Sequence, residues 1–376
     1  YKRCGGCSLQ HMTYTETLRF KKNVVIDNLT RIGGLPNIFV HDTVGMEAPY
    51  RYRNKAQYPV GIGKTGIISG FYAQRTHEII NTDKCEIQHP MSDIARSIVL
   101  EHLEQNNVPV YDEATGKGLI RHIVTRIGFY TGQIMVIIVA TSCPVPESDK
   151  LVQKLKDNIQ NLKSVILNIN PERGNVVLGN KNITLYGKDY IEDRIGDLIF
   201  EIPPLSFYQA NPVQTEILYK KALEYAQLNG SQTVWDIYCG IGTIGLFTAK
   251  HCRSVLGVEL IPEAIEAAKR NAARNNINNA EFYTGKAEKV IPELYRKGMK
   301  ADVIFVDPPR KGCDESLLRT LVNMEPSRIV YISCNPSPLA RDLKYLSTNG
   351  YIVHEAQPVD MFPWSYHVEV VCKLSR

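Results

Sequence analysis

The stretch Trp235-Asp-Ile-Tyr-Cys-Gly-Ile-Gly-Thr-Ile-Gly245 constrains the fold more than any other part of the chain. The run Thr233–Tyr238 reads as a strand, and a helix follows to Lys250. Between them Gly240, Gly242 and Gly245 form a G-x-G-x-x-G turn. Glycines there let the backbone approach a bound molecule, and the helix N-terminus offers free N–H groups. Glu259 closes the next apolar run, Ser254–Glu259, where a carboxylate can hold ribose hydroxyls. Alone, the motif fits NAD enzymes and S-adenosylmethionine enzymes alike, and a tight turn with no ligand also satisfies it.

The pattern around this turn is a regular alternation of strand and helix. A helix is expected over Pro262–Asn275, with strands at Val303–Val306 and Arg328–Ser333 and a final pair at Tyr351–Pro358 and His367–Lys373. Such alternation predicts an α/β unit with a parallel-rich, doubly wound sheet. Before Pro203-Pro204 the pattern differs. Apolar positions at helical spacing (Leu18, Val25, Leu29, Ile32) predict an early helix stopped by Gly33-Gly34. Strand-like runs follow at Gln57–Val60, Gly66–Tyr72, Ile120–Ile127 and Gln133–Ala140, interrupted by helices near Met91–Gln105 and Lys150–Asn161. This part reads as an α+β domain.

Charge and cysteine content narrow the partners. A net charge of +5 makes the chain weakly basic, which permits a nucleic-acid partner without requiring one. No apolar run approaches the ~20 residues of a membrane helix, and Tyr-Lys-Arg-Cys opens no signal peptide. A cytoplasmic monomer is expected. The nine cysteines are then read for metal binding or catalysis rather than disulfides. The chain starts without methionine, inside a cysteine cluster, so a preceding segment is expected.

Three further stretches carry chemistry. Asp307-Pro-Pro-Arg310 follows the strand Val303–Val306, at the sheet edge where open α/β folds bind substrates. Ser333-Cys334-Asn335-Pro336 ends the next strand, which places Cys334 on the same edge. A lone cysteine is more often a small buried thiol. Pro363-Trp-Ser-Tyr-His-Val-Glu369 opens the last strand, so Glu369 can return beside Cys334; its alternative is a solvated strand residue. His367 shares that face.

Together with Ser206-Phe-Tyr-Gln-Ala-Asn-Pro212, these motifs resemble the RNA uracil-5-methyltransferase family over nearly the whole chain. The resemblance implies a Rossmann-like S-adenosylmethionine-dependent methyltransferase domain beside the α+β central domain. It implies that Cys334 is the nucleophile, Glu369 the base and Asp307 a catalytic residue that bonds the target uracil. Gln209, Tyr238, Gly240, Gly242, Glu259 and Asp307 match positions that hold S-adenosylmethionine, and Phe207, with Gln209 and Asp307, matches positions near the base. Pro338 departs from the threonine usual there. The chemistry explains the set: a thiolate adding at C6 makes uracil C5 nucleophilic, and a base must then take the C5 proton. The uracil must be looped or flipped out to reach a buried thiol.

Cys4-Gly-Gly-Cys7 and the remote Cys85 have the spacing of metal or cluster ligands. The ribosomal-RNA branch of the family holds a [4Fe–4S] cluster on such cysteines, which implies Cys4, Cys7 and Cys85 as ligands and a fourth before Tyr1. By this analogy 23S rRNA is favoured over tRNA. The resemblance also implies an N-terminal RNA-binding β-barrel outside this chain. Cys143, Cys239, Cys252, Cys313 and Cys372 lack ligand spacing and are expected to pack. Tyr50-Arg51-Tyr52-Arg53-Asn54-Lys55 interleaves rings and cations, so Arg51, Arg53 and Lys55 are expected to contact RNA, with Arg121, His122 and Arg126 extending that surface; a solvated edge strand is the alternative.

By resemblance the central domain comprises residues 1–9 and 42–206, and the catalytic domain 10–41 and 207–376. Rival readings are an N-methyltransferase of a base amine, an NAD-dependent dehydrogenase, and a non-catalytic iron–sulfur RNA-binding protein.

Overall fold

The computed structural model describes residues 3–64 and 66–376. Two large sheets organise them, joined by a two-stranded sheet of Ile191–Ile195 and Leu198–Ile202. The larger has eight strands, in the order Phe39–Val40, Ile352–Val359, Glu369–Ser375, Arg328–Ser333, Val303–Val306, Thr233–Ile237, Ser254–Glu259 and Ala280–Thr284. From Arg328–Ser333 to Ala280–Thr284 every pairing is parallel. Glu369–Ser375 is inserted antiparallel between two neighbours. Near-continuous β-branched runs such as Val303–Val306, buried at every position, are what a parallel strand covered on both faces requires.

Helices cover this sheet on both sides, as the alternation predicts. Trp235, Ile304, Ile329 and Leu374 pack on one face, and Val234, Phe305, Val330 and Val371 on the other. Adjacent residues go to opposite faces because strand side chains alternate.

The early helix, Tyr14–Arg31, is capped by Thr13, whose hydroxyl accepts the Glu16 N–H at 3.3 Å. It buries Thr17, Lys21, Val25 and Leu29. It packs on the helix Pro336–Thr348, and the chain then supplies the edge strand Phe39–Val40 of the large sheet. Contacts from opposite ends of the sequence therefore close this unit.

The second sheet has seven strands, from Ile79–Asn81 through Gly66–Tyr72, Lys55–Gly63, Ile120–Ile127, Ile134–Ala140 and Leu162–Ile169 to Lys181–Gly187. One of its pairings is parallel, Ile134–Ala140 with Leu162–Ile169. The helices Pro90–Gln105 and Ser148–Asn158 cover one face. The second stops three residues short of the expected end, because Ile159 is extended and Asn161 adopts a positive φ before the next strand.

One expectation fails here. Arg121, His122 and Arg126 do not extend an RNA-facing surface; the strand that carries them is buried along its whole length. Arg121 donates to the carbonyls of Asn170 (3.0 Å) and Glu172 (2.6 Å). Arg126 donates to those of Pro204 and Ser206. Guanidinium groups can be buried when carbonyls satisfy their fixed fork of donors. Cys143 is exposed, not packed, whereas Cys239, Cys252, Cys313 and Cys372 are buried. Among the described residues no helix is long and apolar enough to cross a membrane.

Candidate active site

Parallel strands end along one edge, which collects the residues that follow Ile237, Glu259, Val306 and Ser333. Glu369 starts the antiparallel strand, so it joins the same edge. The register pairs Ser333 with Val370, and Val359 with Glu369. Cys334, one residue past Ser333, and Glu369, one residue before Val370, are thereby brought beside each other from distant sequence positions.

A cavity of about 870 Å³ opens at this edge. Phe207, Gln209, Tyr238, Gly240, Glu259, Asp307, Cys334 and Glu369 all line it. Gly242 stands behind the wall, and Arg51, Arg53 and Lys55 are not part of it. Arg310, Phe362, His367 and Glu288 are also on the wall. Phe362 and Glu288 carry no motif and were invisible in the sequence. Phe362 stands just before the Pro363–Glu369 stretch, which is the one signal that could have found it.

The glycine turn has distinct tasks at its three positions. Gly242 has φ +82°, and a Cβ there would meet Ala268 at 3.2 Å. Gly245 donates its N–H to Asp236 Oδ2 at 2.7 Å. Gly240, φ +55°, has nothing within 4 Å of a Cβ position and borders the cavity. That open space suits a ligand lying against the backbone. Glu259 is oriented there: its Oε2 accepts the Gly240 N–H at 3.2 Å, and its Oε1 the Ile261 N–H at 3.0 Å. Tyr238, at φ +68°, donates its hydroxyl to Glu288 at 2.8 Å.

Asn335 explains the Ser-Cys-Asn-Pro order. Its side chain accepts the Ser337 N–H, capping the helix that Pro336 begins, and donates to the Arg310 carbonyl at 3.1 Å. The loop carrying Cys334 is thus tied to the turn carrying Asp307.

Acidic groups and the thiol meet on one part of a wall that also carries Lys286, Lys289, Arg310 and Lys311. Burial pushes the Asp307 carboxyl up to about 7, with the Asp236 charge adding to it. Burial also pushes Asp236 up to about 7. Glu369 is held well above the usual carboxylate range by burial and by Asp307, with Arg310 opposing. The Cys334 thiol is pushed up to about 11 by burial, then by Glu369 and Asp307. Each negative charge raises the cost of the next, so these groups hold their protons more tightly than they would in water.

Phe207 is 68% exposed on the cavity wall, and Gln209 is buried, with its carbonyl accepting from Asn54 Nδ2 at 2.8 Å. The ring-and-cation segment is largely internal. Tyr52 is buried and donates to the Pro363 carbonyl at 3.0 Å. Arg51 donates to the Cys85 carbonyl and pairs with Glu86. Arg53 lies over the Phe362 ring, 5.9 Å from its centre. Burial, aided by Arg126 and Arg53, lowers Lys55 to about 7. This segment braces the cavity wall instead of presenting a free ladder of cations.

Cys4, Cys7 and Cys85 are unpaired thiols. Cys7 and Cys85 pack around Tyr52, Ile87 and Trp364. Burial, then the neighbouring Cys85 and Cys4, push Cys7 up to about 12, and the Gly6 N–H points at Cys4 Sγ from 3.5 Å. Among the described residues, however, no group of three or more His, Cys, Asp or Glu side chains is arranged to hold a metal ion.

Comparison with known proteins agrees with this geometry. The family model described as tRNA (Uracil-5-)-methyltransferase matches residues 121–376. An uncharacterized RNA methyltransferase of Caldanaerobacter subterraneus subsp. tengcongensis is 53% identical over 375 residues, covering 100% of this chain and 82% of the relative. One of Bacillus cereus is 50% identical over 376 residues, with the same coverage. Among solved structures, the Pyrococcus abyssi tRNA (uracil-54, C5)-methyltransferase in complex with S-adenosyl-L-homocysteine is 31% identical. It matches with a TM-score of 0.79 over 99% of this chain and 86% of that one.

Proposed function

Since the chain belongs to the tRNA (uracil-5-)-methyltransferase family of S-adenosylmethionine-dependent RNA methyltransferases, we propose that it methylates C5 of a uridine through a covalent adduct on Cys334. The observation that carries this is the meeting of Cys334, Asp307 and Glu369 with the glycine turn in one cavity. S-adenosylmethionine is the second substrate. Gly240 and Glu259 would hold its adenosine end, with Tyr238 and Gln209 on the same cavity wall and Gly242 shaping the turn. Its sulfonium meets the carboxyl-rich wall. That positive charge would lower the proton affinity of Cys334 and of Glu369, which burial and the neighbouring carboxyls hold high.

The steps balance as follows. The Cys334 thiolate adds to uracil C6, and the electron pair moves to C5 as an enolate held through Asp307. C5 attacks the methyl carbon, and S-adenosylhomocysteine leaves with its neutral sulfur. Glu369 takes the C5 proton, the C5–C6 double bond re-forms, and the thiolate departs from C6. Phe207 packs on the flipped base. An amine methylation needs no thiol, so the placement of Cys334 favours this reading over the base-amine alternative.

The RNA proposed is 23S rRNA, supported by the sequence spacing of Cys4, Cys7 and Cys85. With a fourth ligand outside residues 1–376 they would hold a [4Fe–4S] cluster. The cluster rests on sequence spacing alone, since among the described residues no group of three or more such side chains is arranged to hold a metal ion. Thiol donors suit iron, and the methyl transfer itself needs no electron. The second reading is tRNA, favoured by the substrate of the Pyrococcus abyssi neighbour. In this account residues 1–9 and 42–206 form the central domain, and 10–41 and 207–376 the catalytic one.

The test is a trap. RNA carrying 5-fluorouridine has no C5 proton to surrender, so the wild-type adduct should persist on a denaturing gel. Cys334→Ala should form none. An adduct that survives in Cys334→Ala would refute the assignment. Running the trap on 23S rRNA and on tRNA separates the two substrates.

A further inference from the structure

Two smaller cavities adjoin the one that holds Cys334. One, of about 310 Å³, shares Arg310, Cys334 and His367 with it and continues past Asn335 and Ser337 to Tyr366. The other, of about 340 Å³, shares His367 with it and runs past Tyr366 to Arg75 and the Gly5–Gly6 loop. Both lie at the lower end of the roughly 300–1,000 Å³ range of small-ligand sites. His367 lines all three spaces, and Tyr366 lines the two smaller ones.

Tyr366 is 54% exposed, and its ring lies 4.3 Å from that of His367 at 37°. A lone exposed aromatic on a surface needs no explanation. This one differs in being held and in where it is held. Its N–H donates to Ser8 Oγ at 3.2 Å, and the carbonyl of Trp364 accepts the Leu9 N–H at 2.9 Å. Trp364 Nε1 is bonded to the Pro49 carbonyl at 2.8 Å. With its backbone anchored and its ring against His367, this exposed aromatic offers a planar partner a face beside the reactive cavity. Each flanking cavity also carries an exposed guanidinium, Arg75 on one side and Arg310 on the other. Single-stranded nucleic acid is recognised by this combination of ring faces for bases and cations for the backbone.

We propose that Tyr366, backed by His367, stacks the base next to the target uridine, and that Arg75 and Arg310 hold the phosphates on either side of the flipped nucleotide. The proposal rests on the uracil-5 reading and adds to it a residue that binds RNA without taking part in bond making. The Tyr366 ring would replace the stacking partner that this neighbouring base loses when the target uridine flips out.

The experiment uses a synthetic stem–loop from whichever RNA, rRNA or tRNA, the wild-type enzyme methylates. Its partners are two versions made abasic on the 5′ or 3′ side of the target uridine. Tyr366→Ala should raise KM on the order of tenfold to a hundredfold with kcat little changed. Tyr366→Phe should behave as wild type. One of the abasic RNAs should show the same loss with wild type and no further loss with Tyr366→Ala, because the two changes remove one contact. An unchanged KM in Tyr366→Ala, or losses that add, would overturn the stacking while leaving the Cys334 chemistry intact. A wild type that methylates no uridine in either RNA would overturn both.

Discussion

Lys21 and Asp360, 339 residues apart, form an ion pair from which both side chains are excluded from solvent. Tyr14 donates its hydroxyl to the other Asp360 oxygen at 2.8 Å, and Lys21 also donates to the Phe362 carbonyl at 3.0 Å. The pair sits where the strand Ile352–Val359 gives way to the loop that carries Phe362 and His367 and leads into Glu369. A buried pair is expensive to break because one charge is left without a partner. Lys21→Met alone should destabilise the protein by about 3–5 kcal/mol. Adding Asp360→Leu should recover much of that. Chemical denaturation of the two singles and the double checks it, and losses that simply add would show that the two charges do not act as a pair.

The free enzyme should hold Cys334 as a thiol. With its proton affinity pushed up to about 11, the reactive thiolate grows roughly tenfold per pH unit from neutrality to about pH 10. Iodoacetamide labelling of Cys334, followed by peptide mass spectrometry, should rise accordingly. A cationic S-adenosylmethionine should shift that rise to lower pH, and neutral S-adenosylhomocysteine should shift it less. A labelling rate already level below pH 8 in the free enzyme would contradict the electrostatic account.

The two glycines of the turn should fail differently. Gly242→Ala meets strain at φ +82° and crowding against Ala268 and Phe282, so it should cost about 1–3 kcal/mol of stability. Gly240→Ala, at φ +55° with open space around it, carries the left-handed strain of about 1–2 kcal/mol. Its methyl group enters space assigned to S-adenosylmethionine, so calorimetry should find binding of that molecule weakened at least tenfold. Undiminished binding by Gly240→Ala would move the ligand away from this turn.

Glu369→Gln should leave methyl transfer possible and block its completion. S-adenosylhomocysteine should be released once per enzyme, with methylated RNA held covalently on Cys334. Turnover should fall on the order of a hundredfold or more, the usual contribution of a general base. Normal turnover would assign the C5 proton to another group.

Much of this site was legible from residue order because parallel strands deliver their ends to one edge. Runs such as Val303–Val306, Arg328–Ser333 and Ile120–Ile127 are dense in β-branched residues, and their bounds match the observed strands. What followed each run, Asp307 or Cys334, was then placed by topology. Charge was the less reliable guide. Arg121 and Arg126 read as surface groups because nothing local reveals the carbonyls and packing that bury them. The Lys21–Asp360 pair was invisible for the same reason, since it depends on the early helix returning to the last strands. Pro292 hides the helix Ala287–Arg296, and with it Glu288, from any periodicity argument.

The most direct measurement of the central claim is methyl transfer from labelled S-adenosylmethionine to unmodified 23S rRNA and, separately, to unmodified tRNA, followed by nucleoside analysis. The label should appear as 5-methyluridine in the rRNA, and Cys334→Ala should abolish it. Label in any other methylated nucleoside, or 5-methyluridine still formed by Cys334→Ala, would contradict the mechanism built on Cys334.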